Sequence, residues 1–155
     1  MNEKELFFEN VVRTHQQQVM GFIGTFVTKL ICRGLAHDHS KFDPEERESF
    51  IENSMGLSKL TYGSDEYRRA LSKMKPAIEQ HYHKNKHHPE YWSLGLNGMS
   101  LIDITEMLCD WMAAVKRHED GNIHKSLEIN RERFNISDQL YMILQNTIAR
   151  MDTIE

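Results

Sequence analysis

Apolar residues recur along this chain at intervals of three and four, with no strand-like run of strict alternation, so the sequence predicts helices nearly throughout and an all-α fold. From about Glu3 to Cys32, the residues Phe8, Val11, Val12, Val19, Phe22, Ile23, Phe26 and Leu30 share one helical face, and Gly34 is placed to end that first helix. A short helical piece from Leu35 to about Ser40 follows. Asp43-Pro44-Glu45-Glu46 reads as a helix start, with Asp as the cap, Pro at the first position and Glu three residues after the cap. That helix carries Phe50 and Ile51 and ends near Gly56. Tyr62-Gly63 reads as a turn. Ser64-Asp65-Glu66 opens a helix that reaches about His88, where Pro89 stops it, and Pro76 should kink or divide it. Glu90 to Met99 reads as a loop, Ser100 as the cap of a helix from Leu101 to about His118, and Asp120-Gly121-Asn122 as a turn. Ile123 to Ile136 is ambiguous. A last helix, Ser137 to Met151, places Leu140, Tyr141, Ile143, Leu144 and Ile148 on its apolar positions, as core or as a homodimer surface.

No repeat, linker or low-complexity tract divides the 155 residues, so the expectation is one compact bundle of five to seven helices spanning 1–155. A net charge of −4 gives no basic surface of the kind that coats duplex nucleic acid. No apolar run approaches the roughly 18 residues that a membrane span needs. The start MNEKELFFEN lacks the basic region of a signal peptide, which makes the cytoplasm the default compartment. Cys32 and Cys109 are far apart in apolar surroundings and form no CxxC, so they read as small buried hydrophobes.

The unusual feature is nine histidines, four of them within His81-Tyr82-His83-Lys84-Asn85-Lys86-His87-His88. Such density usually signals metal or proton handling. On a wheel, His81 and His88 share the face of Ala70, Met74, Ala77 and Ile78 and point inward, whereas His83 and His87 point the other way, towards solvent. His15 lies within the apolar stripe of the first helix, where a buried imidazole needs a partner or a metal. His37-Asp38 is an adjacent pair at a helix end. Asp103, Glu106 and Asp110 form a thin acidic stripe on a helix that is otherwise apolar nearly all round, an arrangement better explained by an interior cation than by a solvated face. Imidazole and carboxylate together suit one or two ions of Mn, Fe, Co, Ni or Zn.

The order His15 … His37-Asp38 … Asp110 resembles the H…HD…D signature of the HD-domain superfamily of metal-dependent phosphohydrolases. Asp38-His39-Ser40-Lys41 is similar to the HDxGK run of many members, with Ser40 where Gly is common. The resemblance spans roughly Val11 to Val115. His81 and His87-His88 match the order of the dinuclear branch, H…HD…H…HH…D, at a shorter spacing and without the glycine-containing signature of the cyclic-di-GMP enzymes. HHPEYW followed by EMLCDW is also similar to a small uncharacterised family of HD-like proteins from phages and bacteria. The resemblance implies that His15, His37, Asp38 and Asp110 hold a first ion. It implies that His81 and His88 (or His87) hold a second, sharing Asp38, and that Lys41 is the cation beside the phosphate. His87 or Glu106 would manage protons.

The implied activity is hydrolysis of the phosphate ester of a nucleotide or another small phosphorylated compound, as a nucleotidase or a phosphodiesterase, by metal-activated water. The Tyr91-Trp92 loop is a base-stacking surface or a lid over the core. The competing expectation is a non-catalytic module that sequesters a metal or a nucleotide.

Overall fold

The computed structural model describes residues 2–57, 59–61, 64–118 and 121–151. Among these residues it contains seven α-helices, three 3-10 turns and no strand, so the all-α expectation holds. The helices are α1 (Glu3–Ala36), α2 (Pro44–Leu57), α3 (Asp65–Lys73), α4 (Lys75–Lys84), α5 (Leu101–Val115), α6 (Ile123–Phe134) and α7 (Asp138–Met151). The chain divides into two compact units, Met1–Ala36 and His37–Glu155.

The first unit is α1. It runs through Gly34 rather than stopping there, and absorbs the start of the short piece expected from Leu35. Thr25 and Thr28 donate their hydroxyls back to the carbonyls of Gly21 and Gly24 at 3.0 and 2.8 Å. None of its residues is buried. The stripe expected to face a core is open: Phe8 is 67% exposed and Phe22 77%. By length and composition α1 is long and apolar enough to cross a membrane. A search for unbroken apolar runs overlooks this, because Thr25, Thr28, Lys29 and Arg33 interrupt the apolar stretch that begins at Val19. Cys32 is exposed as well, and so is Cys109 on α5, against the expectation of buried thiols. An apolar neighbourhood in sequence does not bury a side chain on the outer edge of a helix.

In the second unit the expected punctuation is realised where it depends on local chemistry. Ser64 caps α3 by accepting from Tyr67 N. Pro76 divides the long helix into α3 and α4 at Met74. Ser100 and Asp103 form a complete capping box on α5. Asn122 caps α6, so the segment left ambiguous in sequence is helical. The turn expected at Tyr62-Gly63 and its counterpart at Asp120 lie outside the described residues.

The core sits where α5, α6 and α7 meet. Met107, Leu108 and Trp111 pack with Leu127, Ile136, Tyr141, Leu144 and Ile148. Burial of α7's Tyr141, Leu144 and Ile148 makes that face core, while Met142 and Ile143 stay exposed. This anchors α5 by one side and leaves Glu106 and Asp110, one turn apart, on another. α2 packs on α4, and the 3-10 turn His39–Phe42 packs on both. Tyr91 and Trp92 are half-buried. The indole of Trp92 donates to Lys86 O at 2.9 Å, and its side chain lies against Gly98 so closely that a Cβ there would stand 3.0 Å from the Trp92 Cβ.

Candidate metal centre

Asp38 follows α1 and sits in the left-handed backbone region (φ 57°) at the entry to the 3-10 turn His39–Phe42. Aspartate is among the few residues that tolerate this conformation. The reversal brings the neighbouring side chains of His37 and Asp38 to one place, which adjacent positions of a continuous helix do not allow. His81 comes from the last turn of α4. His87 and His88 come from the segment after it, where Asn85 leaves the helical conformation. Arg133 ties that segment down, donating to Glu90 Oε1 at 2.6 Å and to Tyr82 Oη at 3.0 Å. Asp110 and Glu106 come from α5.

Two groups of possible ligand atoms result, each with all members within 4.8 Å of one another: Asp38, His81, His87 and His88, and His37, His87 and Asp110. The chain therefore has a His/Asp cluster that could hold a metal ion. Its edges carry the stronger signal. His81 Nε2 lies 3.0 Å and His87 Nε2 3.5 Å from Asp38 Oδ1, while His37 Nε2 lies 3.5 Å from Asp38 Oδ2 and 3.4 Å from Asp110 Oδ1. Yet Asp38 Oδ1, His87 Nε2 and His88 Nε2 are buried and make no aligned hydrogen bond. Buried polar atoms of native proteins are nearly always satisfied. Ligands held about 2.1 Å from an ion stand roughly 3.0 Å apart along an octahedral edge and roughly 3.4 Å along a tetrahedral one. The donor set, its spacing and its orphaned atoms thus fit a metal ion.

The electrostatics agree. Burial, reinforced by the positive character of His87 and His81, pushes His88 down to about 3, so it is neutral and ready to donate a lone pair. Burial pushes Asp38 up, but its close approach to the His81 ring and the charge of Lys41 outweigh that and hold the carboxyl well below its usual range. Burial also opposes ionisation of Asp110, and its bond with His37 prevails to keep it an anion. His37 is raised to about 10, first by Asp110 and then by Glu106. Behind these atoms stand two carboxylates that face the far nitrogens of the imidazoles. Glu106 Oε1 lies 3.0 Å from His37 Nδ1 and 3.3 Å from His87 Nδ1, and Glu46 Oε2 lies 2.9 Å from His81 Nδ1.

Six of the residues singled out in sequence therefore converge: His37, Asp38, His81, His87, His88 and Asp110. The wheel misplaced one of them. His87 was expected to face solvent and is 2% exposed, because the helix has ended before it and helical phase no longer governs its direction. It belongs to both ligand groups, which makes it a candidate ligand as well as the proton carrier the resemblance implied. His83 is exposed as expected. Lys41 ion-pairs with Asp38 and lies over the Phe50 ring. The acidic stripe of α5 splits between two roles. Asp103 closes the capping box, whereas Glu106 and Asp110 face the cluster. His15 lies exposed on α1, in the other unit, and neither ligand group includes it. Sequence reasoning missed Glu46, which is 0% exposed. It looked like the glutamate of a capping box, but its carboxylate goes to His81 and Ser40 instead.

No curated protein and no solved structure matches the chain. A family model matches residues 4–150, nearly the whole length, and the protein therefore belongs to the family described as a family of unknown function, DUF5662.

Proposed function

We propose that this protein is a metal-dependent phosphohydrolase acting on a small phosphorylated compound, with a nucleotide as the favoured substrate class. The observation that carries the reading is the convergence of imidazole and carboxylate atoms from four separate stretches, with buried lone pairs at their centre that no protein donor satisfies. Asp38, His81, His87 and His88, with His37 and Asp110 beside them, would hold the ion. A divalent ion there supplies Lewis-acid polarisation of a phosphoryl oxygen and an acidified water. The protein's own groups do the rest. Glu106, bonded to His37 and close to His87, offers a buried base through which a proton can pass. Lys41 offers an ammonium for a phosphoryl oxygen once it leaves Asp38. The HD-domain resemblance supports the same assignment and adds His15 as a ligand. The proposed setting is the cytoplasm, whose reducing conditions suit the two exposed free thiols.

Elemental analysis of the purified protein, followed by a phosphatase and phosphodiesterase screen with Mn²⁺ and then with chelator, tests the proposal. The expected result is near-stoichiometric metal and turnover abolished by chelation. Absence of both metal and turnover sinks it. The pairing of Lys41 with Asp38 favours a second reading, a module that holds metal or nucleotide without turnover, because it occupies the cation on which substrate capture relies. Retained metal and nucleotide binding with no hydrolysis in the same screen would select that reading.

A further inference from the structure

We propose that Glu46 is a positioning residue that fixes the tautomer of His81, presenting Nε2 rather than Nδ1 to the cluster. The inference rests on the metal-centre reading for its purpose but not for its geometry. Glu46 lies on α2 and is wholly buried, an expensive place for a carboxylate unless a partner compensates. Its Oε2 faces His81 Nδ1 at 2.9 Å and accepts from Ser40 Oγ at 3.0 Å.

Hydrogen counting assigns the proton on Nδ1. Three polar atoms surround that nitrogen: Glu46 Oε2, Asn85 Nδ2 at 3.0 Å and Ser40 Oγ at 3.2 Å. The Asn85 amide has two hydrogens, and both are spent, one on His81 O at 2.8 Å and one on Ser40 Oγ at 2.7 Å. The Ser40 hydroxyl has one hydrogen, spent on Glu46. Neither group has a proton left for Nδ1, and the atom remaining is a carboxylate oxygen, which only accepts. With Glu46 as the carboxylate, His81 therefore donates from Nδ1 to it. In the neutral ring this leaves a lone pair on Nε2, 3.0 Å from Asp38 Oδ1. Two lone pairs at that distance repel unless positive charge lies between them. Glu46, Ser40 and Asn85 thus form a relay that orients a candidate ligand from outside and raises its basicity, as carboxylates behind metal-bound histidines do.

The test uses the full chain with ¹⁵N-labelled histidine, and Glu46→Gln and Glu46→Leu variants. In metal-free wild-type protein, NMR should show His81 Nδ1 carrying a proton protected from exchange. Glu46→Gln, whose side chain retains an accepting oxygen, should keep that proton, and Glu46→Leu should lose it. Calorimetric titration with Zn²⁺ should give binding weaker by roughly 10–100-fold in Glu46→Leu, and by about tenfold or less in Glu46→Gln. A bare Nδ1 in the wild type, or wild-type Zn²⁺ affinity in Glu46→Leu, overturns the proposal. A wild-type protein that binds no Zn²⁺ removes the metal-centre reading, and the Nδ1 proton then decides the positioning role alone. If Glu46→Leu fails to fold, the wild-type and Glu46→Gln spectra still decide it.

Discussion

α1 and α5 both carry broad apolar stripes, and their fates differ. On α5 the stripe is consumed: Met107, Leu108, Trp111 and Val115 are buried, the first three against α6 and α7, and the helix is held firmly enough to present Glu106 and Asp110 to the histidines of the α4–α5 segment. On α1 no residue is buried, and Phe8, Phe22 and Leu35 stand open. Helical periodicity specifies which face of each helix is apolar, but the work that face does depends on having complementary surface to meet. Only the helix with such surface orders a polar cluster. The same contrast separates the histidines, since His15 sits on the exposed helix while the six converging residues all belong to 37–110.

Substitutions that weigh one region against the other test this contrast. The largest effect is expected at the cluster. Asp38→Ala should lower metal affinity by more than the roughly 100-fold that losing an outer partner can cost. His15→Ala should lower it less, because neither ligand group includes it. Equal losses by metal titration would make α1 as much a part of the centre as Asp38 and dissolve the distinction. Next comes packing. Leu127→Ala, at a fully buried core position, should destabilise by about 2–5 kcal/mol in urea unfolding. Phe22→Ala, at an open one, should stay within about 0.5 kcal/mol. A loss at Phe22 of core size would show that its face is covered in solution.

A smaller effect is expected from the α5 cap, where Ser100→Ala should cost about 1 kcal/mol by the same measurement. A separate test is a dependence on pH. Asp110 first, then Glu106, raise His37 from 6.5 to about 10. A raised folded-state value means the stabilisation is complete below about 6.5 and is lost as pH climbs towards 10. The melting temperature of the metal-free protein should therefore fall across that window, and His37→Asn should flatten the fall. An unchanged slope in the variant would show that His37 is not held between those carboxylates.

What was legible in sequence was the chemistry written in neighbouring residues. Ser100 with Asp103, Ser64, and Pro76 set helix boundaries through bonds made or forbidden within one turn, and each boundary falls where expected. The grouping of His37, Asp38, His81, His88 and Asp110 was legible too, the first two as an adjacent pair at a helix end and the others as polar residues on largely apolar helices. What failed was extrapolation past an element's end. His87 turns inward because Asn85 has abandoned the helix, which no wheel encodes. Glu46 was hidden because a first-turn glutamate normally serves its own helix, and its use here depends on α4 lying alongside. The exposure of α1 was hidden for the same reason: a wheel describes a surface and is silent about its complement.

The positive φ of Asp38 has a consequence for anyone choosing a knockout. One residue both reverses the chain and supplies a carboxylate, so removing its side chain to Cβ reports a mixture of a strained bend and a missing anion. Asparagine, which accepts the same bend, deletes the charge alone. The gap between the alanine and asparagine variants therefore measures what this centre owes to the shape of its backbone together with a neutral oxygen at this position.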